Sequence, residues 1–234
     1  MPSETELAVA GFYDGIYLFY GPANSLLTLG LDRFWRTAAA RAALEAAPGA
    51  RSALDICCGT GDFLAALRAA YGPGLKLAGA DLSAPMLSLA EKKGTGAALV
   101  RAEARKLPFP GGTFDLAAIS FAARNLNTTR ENLVEALKEC RRVLKPGGVF
   151  INLETTRPAS PLLRLPMDAY VRTVTGLLNL LHPASRAQYS FLRNTILNFH
   201  TAPEFSALLT EAGFTSPSYK TLFPGAVAVH TARA

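Results

Sequence analysis

LDICCGTGDF, residues 54–63, decides the reading of this chain. A short apolar run meets two cysteines, Cys57 and Cys58, and then the turn Gly59-Thr60-Gly61. The helical pattern DFLAALRAAYG follows. Upstream, RSALDIC reads as a buried strand. A glycine turn between a buried strand and a helix lets a ligand approach the backbone closely. Beyond it, LKLAGADL (75–82), AALVRAEA (97–104), FDLAAISF (114–121) and VFINLETT (149–156) are further apolar strands. APMLSLAEKKG and TTRENLVEALKECRRVLKPGG are the helices between them; the second has a threonine cap and a Pro-Gly-Gly stop. Strands alternating with helices at this spacing predict a doubly wound α/β fold. SPSYKTLFPG and GAVAVHTAR form a closing pair around Pro224-Gly225, so the expected sheet has seven strands, mostly parallel, with the last antiparallel. PEFSALLTEAGF is a helix ended by Gly213. The 234 residues fit one domain, with an aromatic-rich helical cover over residues 1–47 and a helical insertion over 160–200.

The cysteines raise thiol and metal chemistry as alternatives to a ligand loop. Structural zinc wants about four soft ligands in paired spacings. Cys140 lies far away in a helical pattern and the three histidines are isolated. No metal is therefore expected. A nucleophilic thiol would need a base or a thiolate-stabilising site. The ordinary role is a small side chain closing a strand where bulk would clash.

Two cofactor classes compete for the glycine turn: dinucleotides and S-adenosylmethionine. The dinucleotide fingerprint has a third glycine, where Leu64 stands. Asp81 ends the second strand, where an acidic residue accepts from ribose hydroxyls; its alternative role is a helix cap. Glu103 and Ala104 follow the third strand and suit an adenine edge, or a solvated loop charge. Ser120 and Phe121 end the fourth strand, at the carboxyl edge where ligands collect.

The segments LDICCGTGDF, DLSAPMLSLA, AEARKLPFPGGTFDLAAISFAARNL and RRVLKPGGVFINLETTRPASPLLR together resemble the ubiquinone/menaquinone biosynthesis C-methyltransferase family. NSLLTLGLDRFWR resembles its N-terminal signature, and PEFSALLTEAGF with GAVAVH its C-terminal end. The resemblance implies a class I methyltransferase fold. It implies S-adenosylmethionine held by Asp55, Gly59, Thr60, Gly61, Asp81, Leu82, Glu103, Ala104 and Ser120. It also implies methylation of a ring carbon on a polyprenylated quinol, with Arg124 and Asn125 serving the acceptor. Three departures stand out. Cys57 occupies a glycine position of the wider motif, and Glu103 replaces a shorter Asn or Asp. The family's Tyr-Asp pair maps either to Tyr20-Gly21 or to Tyr13-Asp14, so both Tyr20 and Tyr13 are candidates at the substrate.

Arg124 offers charge and a fork of donors but is a poor base, because guanidinium hardly deprotonates. Its ordinary alternative is a surface salt bridge. His182, His200 and His230 lack an orienting partner in the sequence, and the general base is not readable. The net charge of +6 is scattered, which argues against nucleic acid as a partner. The acidic N-terminus has no apolar signal core and no run spans a bilayer, so a cytoplasmic protein is expected. Arg164, Arg172, Arg186 and Arg193 near the apolar insertion suit peripheral contact with the inner face of a membrane, and a homodimer is compatible. The rival functions are methylation of another small molecule and non-catalytic binding of S-adenosylmethionine.

Overall fold

A computed structural model describes residues 25–223 and 225–234. Tyr13 and Tyr20 lie outside the described residues. The seven strands are β1 (Ser52–Ile56), β2 (Lys76–Asp81), β3 (Ala98–Arg101), β4 (Phe114–Ser120), β5 (Leu144–Thr155), β6 (Thr215–Phe223) and β7 (Val227–Arg233). They form one sheet in the order β3-β2-β1-β4-β5-β7-β6. β1 to β5 are parallel, and β7 runs antiparallel between β5 and β6. The expected architecture is thus the observed one. Strand order reverses between β1 and β4, which opens a crevice at their carboxyl ends.

The strands are apolar on both faces because helices cover both. On one face, Leu54, Ile56, Ala117, Ile119 and Phe150 pack with α5 (Arg130–Val143) and α8 (Ala202–Glu211). On the other, Ala53, Leu116, Ala118, Val149 and Ile151 pack with α1 (Asp32–Ala46) and α2 (Asp62–Tyr71). Alternate strand residues feed opposite cores, as the period of two requires. α3 (Ala84–Lys92) joins β2 to β3, and the short α4 (Ala123–Leu126) follows β4. α6 (Pro161–Leu181) and α7 (Arg186–Leu197) lie between β5 and α8.

Two boundaries differ from expectation. α5 ends at Val143, before the Pro-Gly-Gly stop, because buried Leu144 already pairs with Phe114. The register then shifts, and regular pairing resumes at Val149. β3 is only four residues long. Glu103 and Lys106 instead form a tight bridge that turns the chain away.

Gly79 explains why Leu64 is tolerated in the glycine turn's helix. A Cβ at Gly79 would meet Leu64 Cδ1 at 2.9 Å, Leu99 Cδ2 at 2.9 Å and Cys58 Sγ at 3.0 Å. The small residue needed for close helix–strand contact sits on β2 here, not on the helix.

His230, in β7, is fully buried opposite Asn152 of β5. Its Nε2 donates to the Ala202 carbonyl at 3.0 Å. Burial lowers its pKa to about 4 from 6.5. A depressed histidine pKa favours the neutral folded form. Its contribution is present above pH 6.5 and fades as pH falls toward 4, on the order of 3 kcal/mol in full. Chemical denaturation from pH 6.5 to 5 should show stability falling, and His230→Gln should flatten that slope. An unchanged slope would assign the acid sensitivity elsewhere.

Candidate active site

The crevice at the strand reversal holds two adjoining cavities. The first is built on the glycine turn. Cys57, Gly59 and Gly61 all have positive φ, at 57°, 51° and 76°. Cys57 thus adopts a conformation that favours glycine, which accounts for the glycine of the wider motif. Gly59 N donates to Asp81 Oδ2 at 2.8 Å, and Ser83 N donates to Asp81 Oδ1 at 2.9 Å. Asp81 therefore ties the turn to the end of β2. The helix cap is Ser83, whose hydroxyl accepts from Met86 N.

Asp55, Gly59, Thr60, Asp81, Leu82, Glu103, Ala104 and Ser120 line this cavity, as do Cys57, Cys58 and Asp62. Gly61 sets the turn behind it. Glu103 is no solvated loop charge: it is mostly buried and pairs with Arg105 at 2.9 Å. Asp55 is 1% exposed and neither carboxylate oxygen has a protein partner. Burial pushes its pKa well up, against a smaller lowering by Arg36. Ser120 Oγ is also buried without a partner. Such orphaned groups facing a cavity suit a polar ligand. Burial likewise pushes the Cys58 thiol up, away from thiolate chemistry, and Cys58 packs on Gly79 as a small wall residue.

The second cavity, of about 400 Å³, is mostly apolar. Trp35, Met167, Val171, Leu192, Ile196 and Phe223 are among its lining residues. The α6–α7 pair forms one wall, anchored by Tyr170, whose hydroxyl donates to the Leu26 carbonyl at 2.6 Å. Arg124 also lines it. Arg124 is 5% exposed and pairs with the buried Glu154 at 2.7 Å; it also donates to the Phe121 carbonyl at 2.6 Å. The surface salt bridge weighed from the sequence is therefore a buried one.

The corner from Phe121 to Asn125 divides the cavities. Phe121, with φ 56°, lines both. Arg124 faces the apolar cavity and Asn125 the polar one. Two further residues were not singled out from sequence. Glu154 had a signal: one carboxylate inside the apolar VFINLETT demands a buried partner. Arg36, in α1, lines the polar cavity but reads in sequence as an ordinary i,i+4 partner of Asp32. Among the described residues lining either cavity there is no histidine.

The family model of the ubiE/COQ5 methyltransferase family matches residues 1–234. The chain belongs to that family. A demethylmenaquinone methyltransferase of Lactiplantibacillus plantarum is 36% identical, over 95% of this chain and 94% of its own. One from Bacillus licheniformis is 34% identical over 98% of both chains. Among solved structures, a SAM-dependent methyltransferase of Thermotoga maritima, titled a possible histamine N-methyltransferase, shares the fold. Its TM-score is 0.67, at 20% identity over 95% of this chain and 98% of that one. The chain is an S-adenosylmethionine-dependent methyltransferase. The orphaned carboxylate of Asp55 fits a cofactor that carries positive charge.

An isolated buried carboxylate opposes folding. Its raised pKa means that this group favours the folded state only below the unfolded value of 3.8, and the benefit is lost as pH rises. Asp55→Asn should therefore raise the thermal midpoint of the cofactor-free protein at neutral pH by several degrees, about 2–4 °C for each kcal/mol relieved. The gain should vanish near pH 3. The same variant should show a smaller midpoint increase on adding cofactor. Thermal melts across pH test this; a lower midpoint at pH 7 would contradict it.

Proposed function

We propose that this chain transfers a methyl group from S-adenosylmethionine to a ring carbon of a demethylmenaquinol-type acceptor bearing a polyprenyl tail. The observation that carries the reading is the apolar cavity beside the polar one, with one buried arginine at their shared corner. A greasy quinol suits such walls, and its hydroxyls suit Arg124. The names of the 33–36% identical relatives support the same acceptor class.

The cofactor when bound supplies a methyl on a sulfonium with a good thioether leaving group. Asp81 would hold the ribose, Glu103 and Ala104 the adenine, and Thr60 and Ser120 the remaining polar edge. The acceptor's ring carbon becomes nucleophilic as the adjacent hydroxyl loses its proton. Arg124 stabilises the developing oxygen charge, preorganised by Glu154 and the Phe121 carbonyl. Asn125 orients a hydroxyl or water where the cavities meet. Trp35, Phe121 and the α6–α7 wall exclude water from the reacting carbon.

The tail also bears on where the chain works. Among the described residues no helix is long and apolar enough to cross a membrane. α6 nonetheless exposes Leu162, Leu165, Leu180 and Leu181, with Arg164 and Arg172 on the same helix. Leu163 and Pro166 of that helix line the apolar cavity. Peripheral contact with an anionic bilayer through α6 would place the cavity beside its substrate's solvent.

Isotope-labelled S-adenosylmethionine and a panel of demethyl-quinols decide the acceptor. Label on the ring carbon of a demethylmenaquinol, located by NMR, is expected; label on oxygen, or on none of the panel, would refute the proposal. In Arg124→Lys, calorimetry should give nearly normal cofactor affinity, while single-turnover transfer falls roughly tenfold to a thousandfold. Transfer at the normal rate would remove the donor fork from the mechanism.

A further inference from the structure

The polar cavity is acidic. Asp55, Asp62, Asp81 and Glu103 line it, and among the described lining residues Arg36 is the one basic side chain. The amino-acid end of S-adenosylmethionine is a zwitterion. Its α-ammonium and sulfonium suit acidic walls, but its α-carboxylate does not. The carboxylate needs a cation or a set of backbone donors.

The backbone donors of the glycine turn are largely committed. Gly59 N is held by Asp81 at 2.8 Å. Gly61 N donates to the Cys58 carbonyl at 2.9 Å, and Cys58 N to the Ala80 carbonyl at 3.1 Å. The N-terminus of α2 carries Asp62, which already pairs with Lys93 and accepts from the Thr60 hydroxyl at 2.7 Å. The nearest part of the turn is thus poorly disposed to an anion.

Arg36 is well disposed. It is 6% exposed and held by Asp32, with 2.5 Å between Nη1 and Oδ2. Its guanidinium carbon lies 5.2 Å from the centroid of the Phe121 ring. Asp32 engages one nitrogen of a group that carries five N–H donors. The planar fork is fixed before any ligand arrives, and a carboxylate matches it in charge and shape. Asp55 stands close enough for the Arg36 charge to act on it. We infer that Arg36 binds the α-carboxylate of the cofactor, with the orphaned Asp55 facing its α-ammonium.

Arg36 then has a second use. Trp35, its neighbour in α1, lines the apolar cavity and packs on the same Phe121 ring, with centroids 6.1 Å apart. Consecutive residues of one helix thus serve the two cavities. Docking the cofactor's carboxylate steadies the turn of α1 that walls the acceptor.

The test uses two ligands and calorimetry, with no quinol present, so it stands apart from the acceptor reading. S-adenosylhomocysteine carries both amino-acid charges. S-adenosyl-3-thiopropylamine keeps the amine and lacks the carboxylate. The unaltered chain should bind the first tighter by about tenfold or more, the scale of one charge-assisted pair. Arg36→Gln should abolish that preference, weakening S-adenosylhomocysteine while leaving the amine within about twofold. Arg36→Lys keeps charge without the fork and should fall between; it carries the comparison if Arg36→Gln does not fold. Equal affinity of the two ligands for the unaltered chain would overturn the assignment. So would equal weakening of both ligands by either variant, which is the signature of a purely structural arginine.

Discussion

The ion pair between Arg124 and Glu154 is the interaction on which the division of the site depends. Glu154 is fully buried in β5 and accepts from Arg124 Nη1, Arg124 N, Thr155 N and the Thr155 hydroxyl. A carboxylate so placed would be intolerable alone, and losing one partner of a buried pair costs about 3–5 kcal/mol. The pair need not add net stability over an apolar substitute. What it does is fix the chain after β4. With α4 pinned to β5 by both backbone and side chain, Phe121 is held in its left-handed conformation, and Arg124 and Asn125 point into different cavities.

Strain and unpaired charge gather around this corner and the glycine turn. Cys57 and Phe121 are both non-glycine residues at positive φ, each costing about 1–2 kcal/mol. They end β1 and β4, the two strands where the order reverses. Asp55 adds an isolated carboxylate one layer below. These costs are borne by the two apolar cores, where Leu54, Ile56, Leu116 and Ile119 are completely buried in the same two strands. The strands are rigid where they pack and unfavourable only at their tips, where ligands enter.

The sheet was legible in the sequence because burial on both faces leaves continuous apolar runs, and those runs are bounded by glycine and proline. That Asp81, Glu103 and Ser120 line the polar cavity was legible by position, since they lie at or just beyond the carboxyl ends of strands in a parallel sheet. Less legible were features set by contacts distant in sequence. Nothing near Leu64 announces that Gly79 makes room for it. Arg36 looks like a surface ion pair until α1 is seen packed over the end of β4. Arg124 was placed at the acceptor through resemblance, while its fixation by Glu154 rests on a partner 30 residues on. The threonine cap of α5 is local and was foreseen; the cap of α3 fell to Ser83 because Asp81 is already bound to the glycine turn.

The electrostatics of the two cavities differ in a way that suits transfer between them. The polar one concentrates carboxylates, which favours a cationic ligand and raises the cost of any second anion nearby. The apolar one has its charge at the shared corner, already neutralised by Glu154. An acceptor oxygen that gained negative charge there would meet guanidinium donors held by a buried anion, not a free cation. The field at that point is therefore modest, but it is fixed by Glu154 and the Phe121 carbonyl. Fixed donors beside apolar walls need no reorganisation as charge develops, and that is the condition under which a modest field contributes most to rate.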